Sequence, residues 1–273
     1  METTDRLAPP SGYPPFAELI PAGELAMGRF ALGFARTLAE LDEVLRLRYE
    51  VFNLELGEGL AASHETGRDL DPYDAHCHHL LVRDVATGRI AGTYRLQTSE
   101  MAAAGRGFYS TGEFELDALP IEVLENAVEA GRACVARAYR NKAVLFLLWR
   151  GMARYLAHTR KRYLFGCSSL TSQDPAEGTR MLRHLEQLGV MHPALRVPAR
   201  PGWRCEIVPG IDRAPAGTRI PRLFRSYLRV GARVCSEPAI DRQFGTIDFL
   251  MLFDVETMDR AAYAAFFADL AGR

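Results

Sequence analysis

A mixed α/β fold is predicted by three observations. Strand-like segments dominate the first half of the chain, a β-α-β-α-β succession follows, and the longest apolar helix candidate comes directly after a buried-strand candidate. Gly28 to Ala35 (GRFALGFA) alternates enough to form a first strand. Thr37 to Phe52 then reads as a helix, with Thr37 able to cap it and Leu41, Val44, Leu45, Arg48, Val51 and Phe52 recurring at helical spacing. Residues 54–75 are acidic and irregular, as an active-site loop would be. His79 to Arg83 and Arg89 to Thr98 read as two strands joined at Ala86-Thr87-Gly88, a hairpin signal. After a loop containing Gly105, Gly107 and Tyr109, Val128 to Ala136 (VEAGRACVA) is a buried-strand candidate. Residues 142–158 form a strongly apolar helix, Tyr163 to Ser169 another strand, and Pro175 to Leu188 a helix with proline in its first turn. Residues 190–220 are rich in proline and glycine. Ile220 to Val234 reads as a basic amphipathic helix, and Ile247 to Phe253 as a late strand.

The 273 residues suit one domain. Prolines make residues 1–20 a flexible N-terminal lead-in, leaving residues 21–273 as a single domain with a C-terminal elaboration around 190–245. Hydrophobic residues at 48% can bury a sizeable core. With 33 basic and 34 acidic residues, the net charge of −1 offers no footprint for nucleic acid. No apolar run approaches the roughly 20 residues of a membrane span. The opening METTDRLAPPSGYPP lacks the order of a signal peptide. The five scattered cysteines fit a reduced, cytoplasmic protein, with membrane contact at most peripheral.

The stretch from Glu129 to Leu156 is the most informative. A strand leads into a basic turn, Arg137-Ala138-Tyr139-Arg140-Asn141-Lys142, which opens a long helix. The unpaired N–H groups of a helix start, with Arg137, Arg140 and Lys142 beside them, suit a phosphodiester or pyrophosphate; a merely solvated turn is the other reading. No Walker or GxGxxG pattern is present. Glu129 is a carboxylate on an apolar strand, where desolvation raises its pKa toward that of a usable base. Arg132 lies three residues on and therefore on the opposite face of an ideal strand, so a shared site requires a bulge; a structural ion pair is the alternative. His76-Cys77-His78-His79 is a poor metal site, because neighbouring strand residues face opposite ways and no second ligand cluster follows at metal spacing. Cys134 and Cys167, within apolar strands, read as packing.

These motifs carry a resemblance. The strand, basic turn and helix resemble the acyl-carrier-binding motif of the GNAT superfamily, with Tyr139-Arg140-Asn141-Lys142-Ala143 in place of its Gly-rich turn. RLRYEVFNLELG (46–57), DPYDAHCHHLLVRD (71–84), GRIAGTYRL (88–96), EAGRACV (129–135), LLWRGMARYL (147–156), LFGCSSL (164–170) and FGTIDFLMLFD (244–254) together resemble the ornithine-acyl carrier protein N-acyltransferases. The same positions are distantly similar to acyl-homoserine-lactone synthases. His78 departs from the Cys-Asp-His of the family pattern. The resemblance implies a GNAT-like fold, with a mixed, mostly antiparallel central sheet flanked by helices. It also implies transfer of a (3-hydroxy)acyl group from acyl carrier protein to ornithine, giving lyso-ornithine lipid.

By the same resemblance, Glu129 and Arg132 are the catalytic candidates, and Arg48, Phe52, Asp71, Asp74 and Arg95 the substrate-binding ones. The Asp and Arg residues would pair with the ammonium and carboxylate groups of an amino acid, or with one another to order the loop. Val135, Arg137, Tyr139, Arg140, Asn141 and Lys142 would meet the donor's phosphopantetheine. No cofactor is expected to be bound permanently. Arg222, Arg225 and Arg229 suit an acidic carrier protein or the anionic inner membrane surface, or form a solvated face. The alternatives are another acceptor (glycine, lysine, glutamine), CoA as donor, a homoserine-lactone-type synthase, or a non-catalytic acyl carrier or lipid-binding module.

Overall fold

A computed structural model of the chain describes residues 12–267 and Leu270. Its frame is one sheet with the path β1-β2-β3-β4-β5-β6-β9-β7, onto which β8 pairs through β9. The strands are β1 (Leu25–Met27), β2 (Phe30–Phe34), β3 (His78–Asp84), β4 (Ile90–Thr98), β5 (Ala127–Val135), β6 (Tyr163–Leu170), β7 (Arg233–Val234), β8 (Ala239–Asp241) and β9 (Thr246–Asp254). Every pairing is antiparallel except β5 with β6. The helices are α1 (Leu38–Tyr49), α2 (Ser63–Thr66), α3 (Ser99–Ala104), α4 (Ile121–Glu125), α5 (Lys142–Thr159), α6 (Pro175–Gln187), α7 (Arg222–Arg229) and α8 (Arg260–Phe267).

Local sequence explains the main boundaries. Thr37 and Glu40 form a reciprocal capping box that starts α1. The helix expected through Phe52 changes character at Glu50, where it widens into π-helical geometry over Glu50–Leu56 and stops at Gly57 in the left-handed region. Asn141 caps α5 by accepting from the Val144 N–H at 3.0 Å. Asp174 and Pro175 start α6. The basic helix expected over Ile220 to Val234 is shorter than its pattern: it ends at Arg229, and Arg233–Val234 turn into a strand on β9.

Both faces of the sheet are covered. One packs against α5, α6 and α7 through residues such as Leu147, Leu148, Met181, Leu182 and Phe224. The other is covered by the loops around Phe108, Phe114 and Leu116, which meet Phe165 and Leu250. The described part of the lead-in, residues 12–20, is not loose: Ile20 is buried and the Pro15 carbonyl accepts from His78 Nε2. Residues 1–11 lie outside the described residues.

The feature that positions the site is a fork in the sheet. β5 and β6 pair in register only at Ala127–Tyr163, Val128–Leu164 and Glu129–Phe165. Beyond that point β5 stays with β4 and β6 stays with β9, so the two strands diverge. Gly166 sits at the divergence, and a Cβ there would lie 2.1 Å from the Ala130 carbonyl oxygen. Gly166→Ala is therefore expected to force the fork open, lowering stability by about 1–3 kcal/mol and removing activity. Chemical denaturation and product formation measure the two effects; a variant that keeps wild-type values of both would mean the fork tolerates a methyl group.

Candidate active site

A cleft of about 830 Å³ occupies the fork. Its floor is β4, β5 and β6. Its walls are the π-helical turn after α1 (Val51, Phe52, Leu56), the start of α5, the helix α7, and the β8–β9 region (Asp241, Phe244, Thr246, Asp248).

Glu129 lies at the fork's apex and is 6% exposed. Its Oε2 accepts from the Tyr109 N–H at 2.7 Å, and its Oε1 accepts from the Ser110 N–H at 2.7 Å and the Ser110 hydroxyl at 2.6 Å. Burial pushes this carboxyl above the ordinary glutamate range, and the Ser110 and Tyr109 hydrogen bonds partly offset the rise. The bulge that a shared site requires is present. The β4 register passes from Thr93–Cys134 to Arg95–Gly131, leaving one extra residue on β5, and Arg132 takes φ +47°. Arg132 thereby lines the same cleft as Glu129, with its guanidinium 4.4 Å from the Phe244 ring centroid and 4.8 Å from that of Tyr109.

Behind the cleft, three arginines and three aspartates form a buried network. Arg48, fully buried, donates from Nε to Asp69 at 2.7 Å and from Nη1 to Asp74 at 2.6 Å. Arg95 Nη1 donates to Asp71 Oδ1 at 2.6 Å and to Asp74 Oδ1 at 3.0 Å. Arg132 Nη2 donates to Asp71 at 3.1 Å, and its Nε lies 3.4 Å from Asp69. Burial pushes the Asp74 carboxyl up, but the Arg48 and Arg95 guanidiniums overcome this and hold it far below the usual carboxylate range. Arg95 does the same for Asp71, more weakly. Of the five residues expected to bind substrate, Phe52 and Arg95 reach the cleft wall, whereas Arg48, Asp71 and Asp74 do not line it. These three hold Arg95 and Arg132 in place.

Residues of the basic turn separate. Val135, Arg140, Asn141 and Lys142 line the cleft, and Arg140 forms a bidentate pair with Glu55. Arg137 is not among the lining residues. Neither is Tyr139, whose hydroxyl donates to Asp84 at 2.9 Å and whose ring meets Phe30 edge-on. Arg222, Arg225 and Arg229 line the cleft too, so α7 forms part of its wall.

Other groups in or behind the cleft were not singled out in the sequence. Asp69 is one; Ser110, which orients Glu129, and Gln97, opposite Glu129 on β4, are two more. The fourth is an acidic cluster, Glu113, Asp241 and Asp248, all buried and lining the cleft, with one oxygen of each within 4.8 Å of the others. Asp248 carried the signal that marked Glu129, a carboxylate on an apolar strand. Burial pushes it up to about 6, with Asp241 adding to the rise.

The cysteines are free, and burial raises Cys167 and, to about 12, Cys134, so both are thiols at neutral pH. His78 and His79 point apart, His78 to Tyr155 and the Pro15 carbonyl and His79 to the Asp74 carbonyl.

Residues 47–150, which include β3 to β5 and the start of α5 and so much of the cleft floor, match the acetyltransferase (GNAT) domain family. The chain is an acyltransferase with a GNAT-like fold. Over 93% of its length it is 33% identical to an L-ornithine N(alpha)-acyltransferase of Rhizobium meliloti (strain 1021), covering 90% of that protein. Over 84% it is 32% identical to the same-named enzyme of Rhodobacter capsulatus, covering 91% of that one. The chain therefore belongs to the L-ornithine N(alpha)-acyltransferase family. Among solved structures, the AHL synthase LasI superposes with a TM-score of 0.49 at 12% identity, covering 91% of this chain and 96% of that one.

Proposed function

We propose that the protein transfers a (3-hydroxy)fatty acyl group from the phosphopantetheine thioester of acyl carrier protein to the α-amine of ornithine, forming lyso-ornithine lipid. What carries this reading is Glu129 at the apex of a forked cleft, in a chain whose near-full-length relatives are named for that acceptor. The strand edges facing the fork leave backbone groups free to pair with the amides of the pantetheine arm, as in strand addition. Leu145, Leu148 and Phe224 offer an apolar lining for the acyl chain, and Arg140 and Lys142 a positive lip for the phosphodiester.

Glu129 takes the proton that ornithine's ammonium must lose. The neutral amine attacks the thioester carbonyl, the C–N bond forms, the C–S bond breaks, and the departing sulfur leaves as a thiol with the proton released at nitrogen. No acyl-enzyme is needed, in keeping with protonated Cys134 and Cys167. The face of α7 bearing Arg222, Arg225 and Arg229 would receive the acidic carrier protein, close to the anionic inner membrane surface where the product belongs. No helix among the described residues is long and apolar enough to cross a membrane.

The test supplies purified protein with 3-hydroxyacyl carrier protein or the matching acyl-CoA, together with ornithine, lysine, glutamine or glycine, and identifies products by mass spectrometry. N-acylornithine made at least tenfold more efficiently from the carrier protein is expected, with Arg225→Glu erasing that preference. No N-acylated amino acid with any pair would overturn the reading; equal use of CoA would overturn the carrier assignment.

A further inference from the structure

We propose that Glu113, Asp241 and Asp248 form a subsite for the side-chain ammonium of the acceptor, so that the cleft recognises a dibasic amino acid at both ends. The inference rests on the acceptor being an amino acid, as proposed above, and adds how its side chain is read.

Asp241 is the satisfied member of the cluster. Its Oδ1 accepts from the Gln243 and Phe244 N–H groups at 2.8 Å each, and its Oδ2 from the Tyr109 hydroxyl at 3.2 Å. Asp248 Oδ2 accepts from the Thr246 hydroxyl at 3.0 Å, and the Ser169 hydroxyl, opposite on β6, offsets part of the rise in its pKa. The other oxygens, Asp248 Oδ1 and Glu113 Oε1, are buried with no hydrogen-bond partner. Two orphaned carboxylate oxygens in one buried cluster are costly unless a donor arrives. Burial and the neighbouring carboxylates Asp248 and Asp241 push Glu113 well up, which favours its protonated form when no cation is present.

A second observation lies at the other end. Gln97 is 2% exposed and lines the same cleft, yet neither its Oε1 nor its Nε2 has a partner. It faces Glu129 across the β4–β5 ladder, and so would flank the amine that Glu129 is proposed to deprotonate. The two ends are joined by a chain of contacts: Glu129 to Ser110 at 2.6 Å, Ser110 to Cys167 at 3.5 Å, and Cys167 to Glu113 at 3.7 Å. A ligand that satisfies both ends has polar groups at its α-carbon and a cationic group a few methylenes away. An ammonium, with three donors and one charge, fits two orphaned oxygens and a third carboxylate. A site that leaves buried carboxylates unpaired rejects an analogue lacking the cation.

The test compares ornithine with norvaline, which keeps the stem and lacks the terminal amine, by calorimetric binding to wild type, Asp248→Asn and Glu113→Gln. The wild type is expected to bind ornithine at least 30-fold tighter, and each variant to shrink that ratio below about fivefold, mainly by weakening ornithine. Circular dichroism reports folding, and the two variants serve as controls for each other. Equal wild-type affinity for the two ligands, no binding of either, or discrimination that survives in both variants would overturn the subsite. So would Mg²⁺ or Mn²⁺ binding that both variants abolish and ornithine does not compete with. Discrimination in binding without any acyl transfer would uphold the subsite and sink the proposed reaction; transfer to ornithine without discrimination would do the reverse.

Discussion

Arg48→Met is expected to destabilise the protein by about 3–5 kcal/mol, a large share of the stability of a typical domain. Arg48 has no exposed surface and pairs with both Asp69 and Asp74 through charged hydrogen bonds. Methionine fills much of the same volume but leaves three buried aspartates facing two guanidiniums, Arg95 and Arg132. The surplus carboxylate must then ionise unpaired or take a proton. The pH dependence carries the sign of that choice. In the wild type, Asp74 has a depressed pKa, so its contribution is present above the unfolded value and lost on acidification. In the variant the surplus carboxylate is raised, so stability recovers as pH falls from 7 toward 5. Urea denaturation at both values measures this. Arg48→Met/Asp74→Asn should regain part of the loss by removing the unpaired charge. A single variant within 1 kcal/mol of wild type at pH 7 would show that the network does not hold the fold.

Glu129→Gln is expected to lower kcat by about 10²–10⁴-fold with little effect on the donor's KM. The side chain keeps its size, and its carbonyl oxygen can still accept from both Ser110 donors. Its amide nitrogen would meet the Tyr109 N–H, donor against donor, at a cost of about 1–2 kcal/mol. Turnover should therefore fall far more than stability. Wild-type activity should rise with pH as the elevated carboxyl ionises, and the variant should lose that limb. Steady-state kinetics across pH, alongside thermal denaturation, separates the cases. Parallel loss of activity and stability with the pH limb intact would make Glu129 a structural acceptor for the Tyr109–Ser110 turn.

The two variants probe opposite sides of the same frame. Arg48 acts through Asp74 and Asp69 on the guanidiniums of Arg95 and Arg132, and touches no cleft surface itself. Glu129 borders the open fork. The residues that the family resemblance grouped as one substrate-binding set are thus divided by whether they line the cleft. Phe52 and Arg95 line the cleft, and Arg48, Asp71 and Asp74 belong to the buried network that holds Arg95 and Arg132.

The basic turn divides for a similar reason. Its residues alternate around a tight 3₁₀ turn, Arg137–Tyr139, so a run of charge in sequence does not stay on one face. Tyr139 turns back to Asp84, 55 residues away, and Arg140 turns to Glu55, 85 residues away. Neither partner could be chosen from the turn itself.

Local periodicity and capping determined the mixed α/β class, the positions of β2 to β6, α1, α5, α6 and β9, and the standing of Glu129 as an anomalous carboxylate on an apolar strand. These are short-range properties: a two-residue or 3.6-residue period and a cap are written within a few residues. Strand parity even specified that Arg132 could join Glu129 only through a bulge. Where that bulge fell, where β5 parted from β6, and which charges met were decided by the tertiary structure. Glu113 meets Asp248 only once a loop is folded against β9, and Arg48 meets Asp69 and Asp74 only once the loop after α1 closes over the sheet. Such contacts depend on register and burial summed over distant segments, and a carboxylate's role follows from the partners that burial leaves it.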